Sequence, residues 1–425
     1  MGQSSSSVCS DTKAHDLASS FENFFKDYKM ESKILSPETI TLIKSNLEKG
    51  DVQGAASVIS EALKDIENAP LHIAVTGESG SGKSSFINAL RGIGHEEVDA
   101  ANVGVVETTS EKAGYKHPKF PKVTIWDLPG IGTTKFQPRK YLKEMEFNTY
   151  DFFFIICATR FKENDLELAK AIKKMKKNFY FVRAKVDSDL YNKKMSHPNT
   201  FCKDKVLEEI RDDCLKHLQE AKLEDPRVFL ISNLNKFAYD FPNLETTLLK
   251  ELPAHKRYIF MQCLPSVTDA AIDRKRDFLK QKIWLEALKA GTTATIPFMG
   301  FISDNDMEKL EKTLTVYRSY FGLDDASLEN MAKKWDLSVE ELKAKIKSPH
   351  LLLVETDDEK LGEKLLKFVE KVCSISGGLL ATGLYFRKTF YLQNYFLDTV
   401  VNDAKVLLSK ELIKDLVGLD RPNCF

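Results

Sequence analysis

The spacing of apolar residues changes twice along this chain, near residues 70 and 253. Upstream, Ile40, Ile43 and Leu47 recur at helical spacing behind a Ser36-Pro37 start signal. Ala55, Val58, Ile59, Ala62, Leu63 and Ile66 line one face of a second helix. From Leu71 the pattern becomes short β-rich runs. Leu71, Ile73, Ala74 and Val75 predict a buried strand, as do Val123–Trp126, Phe179–Arg183 and Val228–Ile231, and Ser85–Leu90 reads as the start of a helix. After Pro253 the chain is almost wholly helix-forming, with breaks at Gly322, Ser348-Pro349 and Gly377-Gly378. The expected organisation is an α/β domain over 71–252, with a mostly parallel sheet and helices on both faces. An all-α domain is assembled from the flanks 1–70 and 253–425. No solenoid-type repeat is visible.

Directly behind the first strand, Gly77, Glu78, Ser79, Gly80, Ser81, Gly82, Lys83 and Ser84 fit G-x-x-x-x-G-K-[ST], and Ser85 continues into the helix. Strand, loop and helix in that order make the pattern a phosphate-binding loop. Glycines let the backbone wrap so that successive N–H groups face phosphate oxygens, and the helix adds its positive end. Lys83 is placed to bridge the β- and γ-phosphates, and Ser84 to ligate Mg²⁺. The strand Val123–Trp126 runs into Asp127-Leu128-Pro129-Gly130, a D-x-x-G that brings Asp127 to the Mg²⁺ shell and the Gly130 N–H to the γ-phosphate.

The base is chosen further on, where Phe179–Arg183 leads into Ala184-Lys185-Val186-Asp187. Guanine offers N1–H and an N2 amine that one carboxylate accepts together, whereas adenine offers an N1 acceptor and would leave Asp187 unpaired. Lys185 and Asp187 are therefore expected to read guanine. Ser232 and Asn233, after the last strand, supply the closing loop with a backbone contact to guanine O6. Guanine-reading loops usually carry Asn at the position of Ala184, and that amide ties the base loop to the phosphate loop. Alanine cannot, so affinity is expected to fall by on the order of 1 kcal/mol.

Between the phosphate loop and D-x-x-G, Val103–Thr109 occupies the place of a switch loop. Either Thr108 or Thr109 suits Mg²⁺ or the γ-phosphate, with Thr109 the preferred ligand. Ile131 follows D-x-x-G in place of the glutamine that orients water in many small GTPases, so isolated hydrolysis should be slow. Glu107 is a polar candidate for the missing group; a solvated loop carboxylate is an equal reading from these residues alone.

Composition narrows the partners. The 62 basic residues balance 62 acidic ones, so no global field draws the protein to nucleic acid or anionic lipid. Seven cysteines without C-x-x-C spacing read as reduced thiols of a cytosolic protein, and eight histidines form no H-E-x-x-H, leaving nucleotide-bound Mg²⁺ as the expected metal. The first thirty residues lack a signal-peptide core. Met1-Gly2-Gln3-Ser4-Ser5-Ser6 fits the pattern for N-myristoylation at Gly2, against a plain serine-rich tail. One such chain binds membrane only marginally, and Cys9 is a candidate for a second acyl group. Leu361, Leu365, Phe368, Val369 and Val372 line one helical face, suited to packing or to a membrane interface. The uncharged stretch Ala290–Ser303 is too short to span a bilayer and reads as buried helix or hairpin.

Taken together, the motifs resemble the interferon-inducible immunity-related GTPases, in the subgroup whose phosphate loop reads Gly-Lys-Ser. The resemblance covers essentially the whole chain. It includes Gly104-Val105-Val106-Glu107, Trp126-Asp127-Leu128-Pro129-Gly130-Ile131-Gly132, Tyr150-Asp151-Phe152-Phe153, Ala158-Thr159-Arg160-Phe161 and Lys185-Val186-Asp187-Ser188-Asp189. Outside the α/β domain it includes Leu252-Pro253-Ala254-His255-Lys256-Arg257 and Tyr317-Arg318-Ser319-Tyr320-Phe321-Gly322. It implies a Ras-like G domain and a dynamin-like enzyme that binds and hydrolyses GTP, oligomerises, and loads onto pathogen-containing vacuoles to disrupt them. It implies related immunity GTPases and intracellular membranes as partners, with a cytoplasmic and peripheral membrane location. Hydrolysis in the family is stimulated by G-domain pairing, and the glutamate matching Glu107 acts near the nucleotide across that pair. Related members share the Met1-Gly2 start, which favours myristate. They usually have threonine where this chain has Ala184, and often where it has Val103. The competing reading is a nucleotide-gated membrane scaffold in which hydrolysis only resets binding; an ATP-using kinase lacks its catalytic-loop motif.

Overall fold

The computed structural model describes residues 18–29, 33–103, 111–130, 138–223, 225–235, 239–264, 266, 268–293, 304–351 and 384–418. The chain divides into two compact units. One comprises Ala69–Glu251 with Cys263–Pro265; the other comprises Met1–Asn68, Leu252–Gln262 and Ser266–Phe425.

The first unit is built on a six-stranded sheet in the order β2-β3-β1-β4-β5-β6. Its strands are β1 (Leu71–Gly77), β2 (Ala113–Lys116), β3 (Val123–Asp127), β4 (Phe152–Cys157), β5 (Asn178–Arg183) and β6 (Val228–Leu230). All neighbours run parallel except the edge pair β2 and β3. Its helices are α1 (Lys83–Arg91), α2 (Pro138–Glu144), α3 (Glu163–Lys174), α4 (Val186–Ser196), α5 (Lys203–Glu220) and α6 (Phe241–Glu251). Strands buried on both faces read as continuous apolar runs, and β4 is buried at every position. Two strands, β2 and β4, are not among those the apolar pattern predicts. A fully apolar run has no period to identify it, and β2 is a short edge strand that alternates half-buried and exposed residues.

Register brings the functional loops to one edge. Val75 pairs with Asp127 and Gly77 with Ile156, so β1, β3 and β4 end together at their C-terminal sides. Ring contacts fill the layers beside them: Phe86 meets Phe154 edge-on at 4.9 Å, Phe147 stacks on Phe153 at 4.6 Å, and Phe161 meets Phe181 at 4.6 Å.

In the helical unit the Ser36-Pro37 signal does open a helix, Pro37–Glu48, and the Ser36 hydroxyl accepts the Thr39 N–H at 3.2 Å. The next helix, Val52–Asn68, buries Ala55, Ile59, Leu63 and Ile66. The long helix Asp269–Thr293 packs against both Val52–Asn68 and Leu384–Gly418. A helix over 18–26 gathers Phe21, Phe24 and Phe25 around Trp284, with Phe24 stacked on the indole at 5.2 Å. Gly322, at φ +72°, follows the helix Asp304–Tyr320, and Ser348-Pro349 forms a short 3-10 turn. The backbone N–H groups of Lys347 and Ser348 donate to the buried Asp403 carboxylate at 3.0 and 2.6 Å. Gly2, Cys9, Gly377-Gly378, the apolar face from Leu361 to Val372, and residues 294–303 lie outside the described residues. Among the described residues, no helix is long and apolar enough to cross a membrane.

Candidate nucleotide-binding site

The loop between β1 and α1 turns through three glycines in the left-handed half of backbone space: Gly77 at φ +139°, Gly80 at +73° and Gly82 at +97°. At Gly77 a Cβ would sit 2.1 Å from the Ile156 carbonyl oxygen, so only glycine lets β1 and β4 run this close. Lys83 begins α1 with its ammonium folded back onto the carbonyls of Gly77 and Glu78, at 3.3 and 3.0 Å. That places a buried cation over the loop that would wrap a phosphate chain. The Ser81 hydroxyl is buried with no hydrogen-bond partner among the described residues, a polar group in the cradle free for a ligand. The Glu78 side chain points away to an ion pair with Lys162 at 2.6 Å.

Opposite the start of α1, the Ser84 hydroxyl donates to Asp127 Oδ2 at 3.0 Å, across 43 residues of sequence. A hydroxyl and a buried carboxylate held together are hard oxygen donors of the kind Mg²⁺ takes from a protein, so the residues present fit that ion. Asp127 is fully buried, and the next N–H, of Leu128, donates to Val75 at 2.9 Å. Tyr141 on α2 then holds the D-x-x-G loop, its hydroxyl donating to the Pro129 carbonyl at 2.8 Å beside Gly130. Burial holds this phenol well above its ordinary range, so it stays a donor.

The base-reading loops meet at the ends of β5 and β6. The Ile231 N–H donates to Arg183 at 2.9 Å and the Val186 N–H to Ile231 at 3.3 Å, lacing the two loops together. Arg183, 6 % exposed, donates to the carbonyls of Ala158 and Ala184 and pairs with Asp189 at 2.6 Å. It fixes the turn that carries Asp187, which stands half-buried in the first turn of α4. Lys185 takes a left-handed conformation at φ +61° and reaches the phosphate loop, donating to the Gly80 carbonyl at 2.9 Å. Ser232 is fully buried, and its hydroxyl accepts the N–H groups of Leu234 and Asn235 at 3.3 Å each.

Asn233 makes a side-chain bond that the sequence reading does not include. Its side chain turns to the phosphate loop, Nδ2 donating to the Gly82 carbonyl at 3.1 Å. Position 184 itself is a fully buried alanine, so this loop-to-loop bond comes from the neighbouring base loop. Arg183, Tyr141 and this role of Asn233 carry no sequence signal, because each acts on a backbone carbonyl or carboxylate brought close only by the fold. Val103 is half-exposed at 49 %, at the edge of the switch region. Glu107, Thr108, Thr109 and Ile131 lie outside the described residues.

Phosphate loop, Asp127 and the two base loops all leave C-terminal ends of parallel strands, at the crevice where doubly wound sheets hold nucleotides. A Gly-Lys-Ser cradle, a D-x-x-G and a carboxylate-bearing base loop in that order define a Ras-like P-loop GTPase domain. Comparison with known proteins makes this specific. The family model described as Interferon-inducible GTPase (IIGP) matches residues 36–411, and the chain belongs to that family of GTP-binding, GTP-hydrolysing enzymes. Interferon-gamma-inducible GTPase 10 of Mus musculus is 61 % identical over 412 residues, covering 97 % of this chain and 98 % of its own. T-cell-specific guanine nucleotide triphosphate-binding protein 2 of Mus musculus is 57 % identical over 402 residues, 94 % of this chain and 96 % of its own. Interferon-inducible GTPase 1 of Mus musculus is 48 % identical over 415 residues, 98 % of this chain and 100 % of its own.

Proposed function

We propose that the protein is an assembling GTPase of cell-autonomous immunity. In this reading it pairs through its G domains on GTP and loads onto the membranes of pathogen-containing vacuoles, which it disrupts. The observation that carries the nucleotide part is the convergence of Lys83, the Ser84–Asp127 pair and the Lys185–Asp187 loop on one edge of the sheet. Lys83 neutralises charge on the β- and γ-phosphates and Asp187 accepts from guanine N1–H and N2. Mg²⁺, held by Ser84, Asp127 and Thr109, would supply charge neutralisation between the β- and γ-phosphates. The Gly130 N–H senses the γ-phosphate beside the switch loop.

Pairing rests on the family resemblance. Ile131 stands where glutamine would orient water, so isolated hydrolysis should be slow, and in this reading a second copy speeds it, with Glu107 acting near the nucleotide across the pair. Myristate on Gly2 and the apolar face at Leu361–Val372 supply two weak membrane signals, consistent with a cytoplasmic protein that binds intracellular membranes peripherally. Related immunity GTPases are further partners.

Phosphate release measured against protein concentration tests this. Specific activity is expected to rise with concentration, and Glu107→Ala should abolish the rise while leaving GTP binding in place. Flat, negligible activity across the range would overturn the reading in favour of a nucleotide-gated scaffold.

A further inference from the structure

The base-reading loops and the phosphate loop grip opposite ends of one ligand, so a bond between them matters to any molecule long enough to touch both. Among the described residues such bonds run from Lys185 Nζ to Gly80 and from Asn233 Nδ2 to Gly82. The lysine bond belongs to the base-reading motif. The asparagine bond belongs to none, and its geometry is specific. Turning the amide over would set Oδ1 against a carbonyl oxygen, so Nδ2 is committed to Gly82. Oδ1 is left as a buried acceptor with no partner among the described residues. A Cβ on Gly82 would have as its nearest neighbours Asn233 Nδ2 at 3.2 Å, then the Ala184 methyl and Lys185 Cε, each at 3.9 Å. Asn233 and position 184 therefore face the same glycine, and position 184 is a fully buried alanine.

We infer that Asn233 is a positioning residue for GTP, standing in for the side chain that position 184 lacks and holding the purine and phosphate subsites at the spacing of one nucleotide. Its effect passes through Gly82. The inference rests on the guanine-nucleotide reading of the site and goes beyond it in naming what sets the distance between the subsites.

The test uses the full chain and titrations with GDP, guanosine and inorganic pyrophosphate. Asn233→Ala should weaken GDP about five- to tenfold, the value of one hydrogen bond. Guanosine and pyrophosphate, which occupy one subsite each, should change less than about twofold. Adding Ala184→Asn to Asn233→Ala should restore GDP affinity to within about threefold of wild type, and Asn233→Asp, which sets a carboxylate against the Gly82 carbonyl, should bind no better than Asn233→Ala. Equal losses for all three ligands would mark a general structural defect and overturn the inference, as would wild-type GDP affinity in Asn233→Ala or failure of Ala184→Asn to rescue. Asp187→Ala serves as the control for the site itself: if it binds GDP like wild type, the guanine reading fails, whatever Asn233 does.

Discussion

Asp165 stands in the first turn of α3 at a position only 1 % exposed, where its Oδ2 accepts the Lys162 N–H at 3.0 Å. Burial pushes its carboxyl up to about 7, opposed by that N–H and reinforced by the nearby Glu78 carboxylate. In the unfolded chain the group returns to the ordinary range near 3.8, so between these values the folded state binds the extra proton. The resulting stabilisation is fully present below about pH 4 and is lost as pH rises through about 7. Asp165→Asn removes the titration and keeps an acceptor for Lys162. Urea unfolding at pH 5.5 and pH 8 should show wild type losing about 2 kcal/mol relative to the variant across that interval. A wild-type-to-variant difference that stays constant with pH would contradict the assignment. The same charge cluster borders the phosphate loop, since the carboxylate of Glu78 pairs with Lys162 while its carbonyl accepts from Lys83.

At the scale of elements, the site depends on how closely β1 can approach β4. Gly77 ends β1 with a backbone that no L side chain adopts easily, and its missing side chain leaves the space the Ile156 carbonyl fills. Gly77→Ala must move one strand or the other. It should cost roughly 2–4 kcal/mol by urea unfolding and weaken GDP binding with it, because the same residue opens the phosphate loop. Unchanged stability would show that the strands part without penalty. Elements with a strong period or a start signal were legible from sequence: β1, β3, β5 and β6, and the helix behind Ser36-Pro37. The central strand β4 was not. Its six residues are uniformly apolar, and periodicity cannot separate such a strand from buried helix. At the site, the residues of the local motifs could be singled out from sequence, while the loop-holding bonds of Tyr141, Arg183 and Asn233 could not. They hold loops distant in sequence, and only the register of the sheet brings them together.

For the whole molecule, zero formal charge leaves long-range attraction out of the account, so nucleotide recognition rests on short-range contacts at the nucleotide loops. The two units divide the work in this reading: Ala69–Glu251 carries the nucleotide, and the helical unit carries the stretch proposed for membranes. The central claim is that main-chain amides around Lys83 and a carboxylate at Asp187 together select guanine nucleotides. Calorimetric titration of the full-length protein with GDP and ADP in the presence of Mg²⁺ tests it most directly. GDP should bind at least about a hundredfold tighter than ADP, because adenine would leave the half-buried carboxylate unpaired. Equal affinity for the two, or binding of neither, would contradict it.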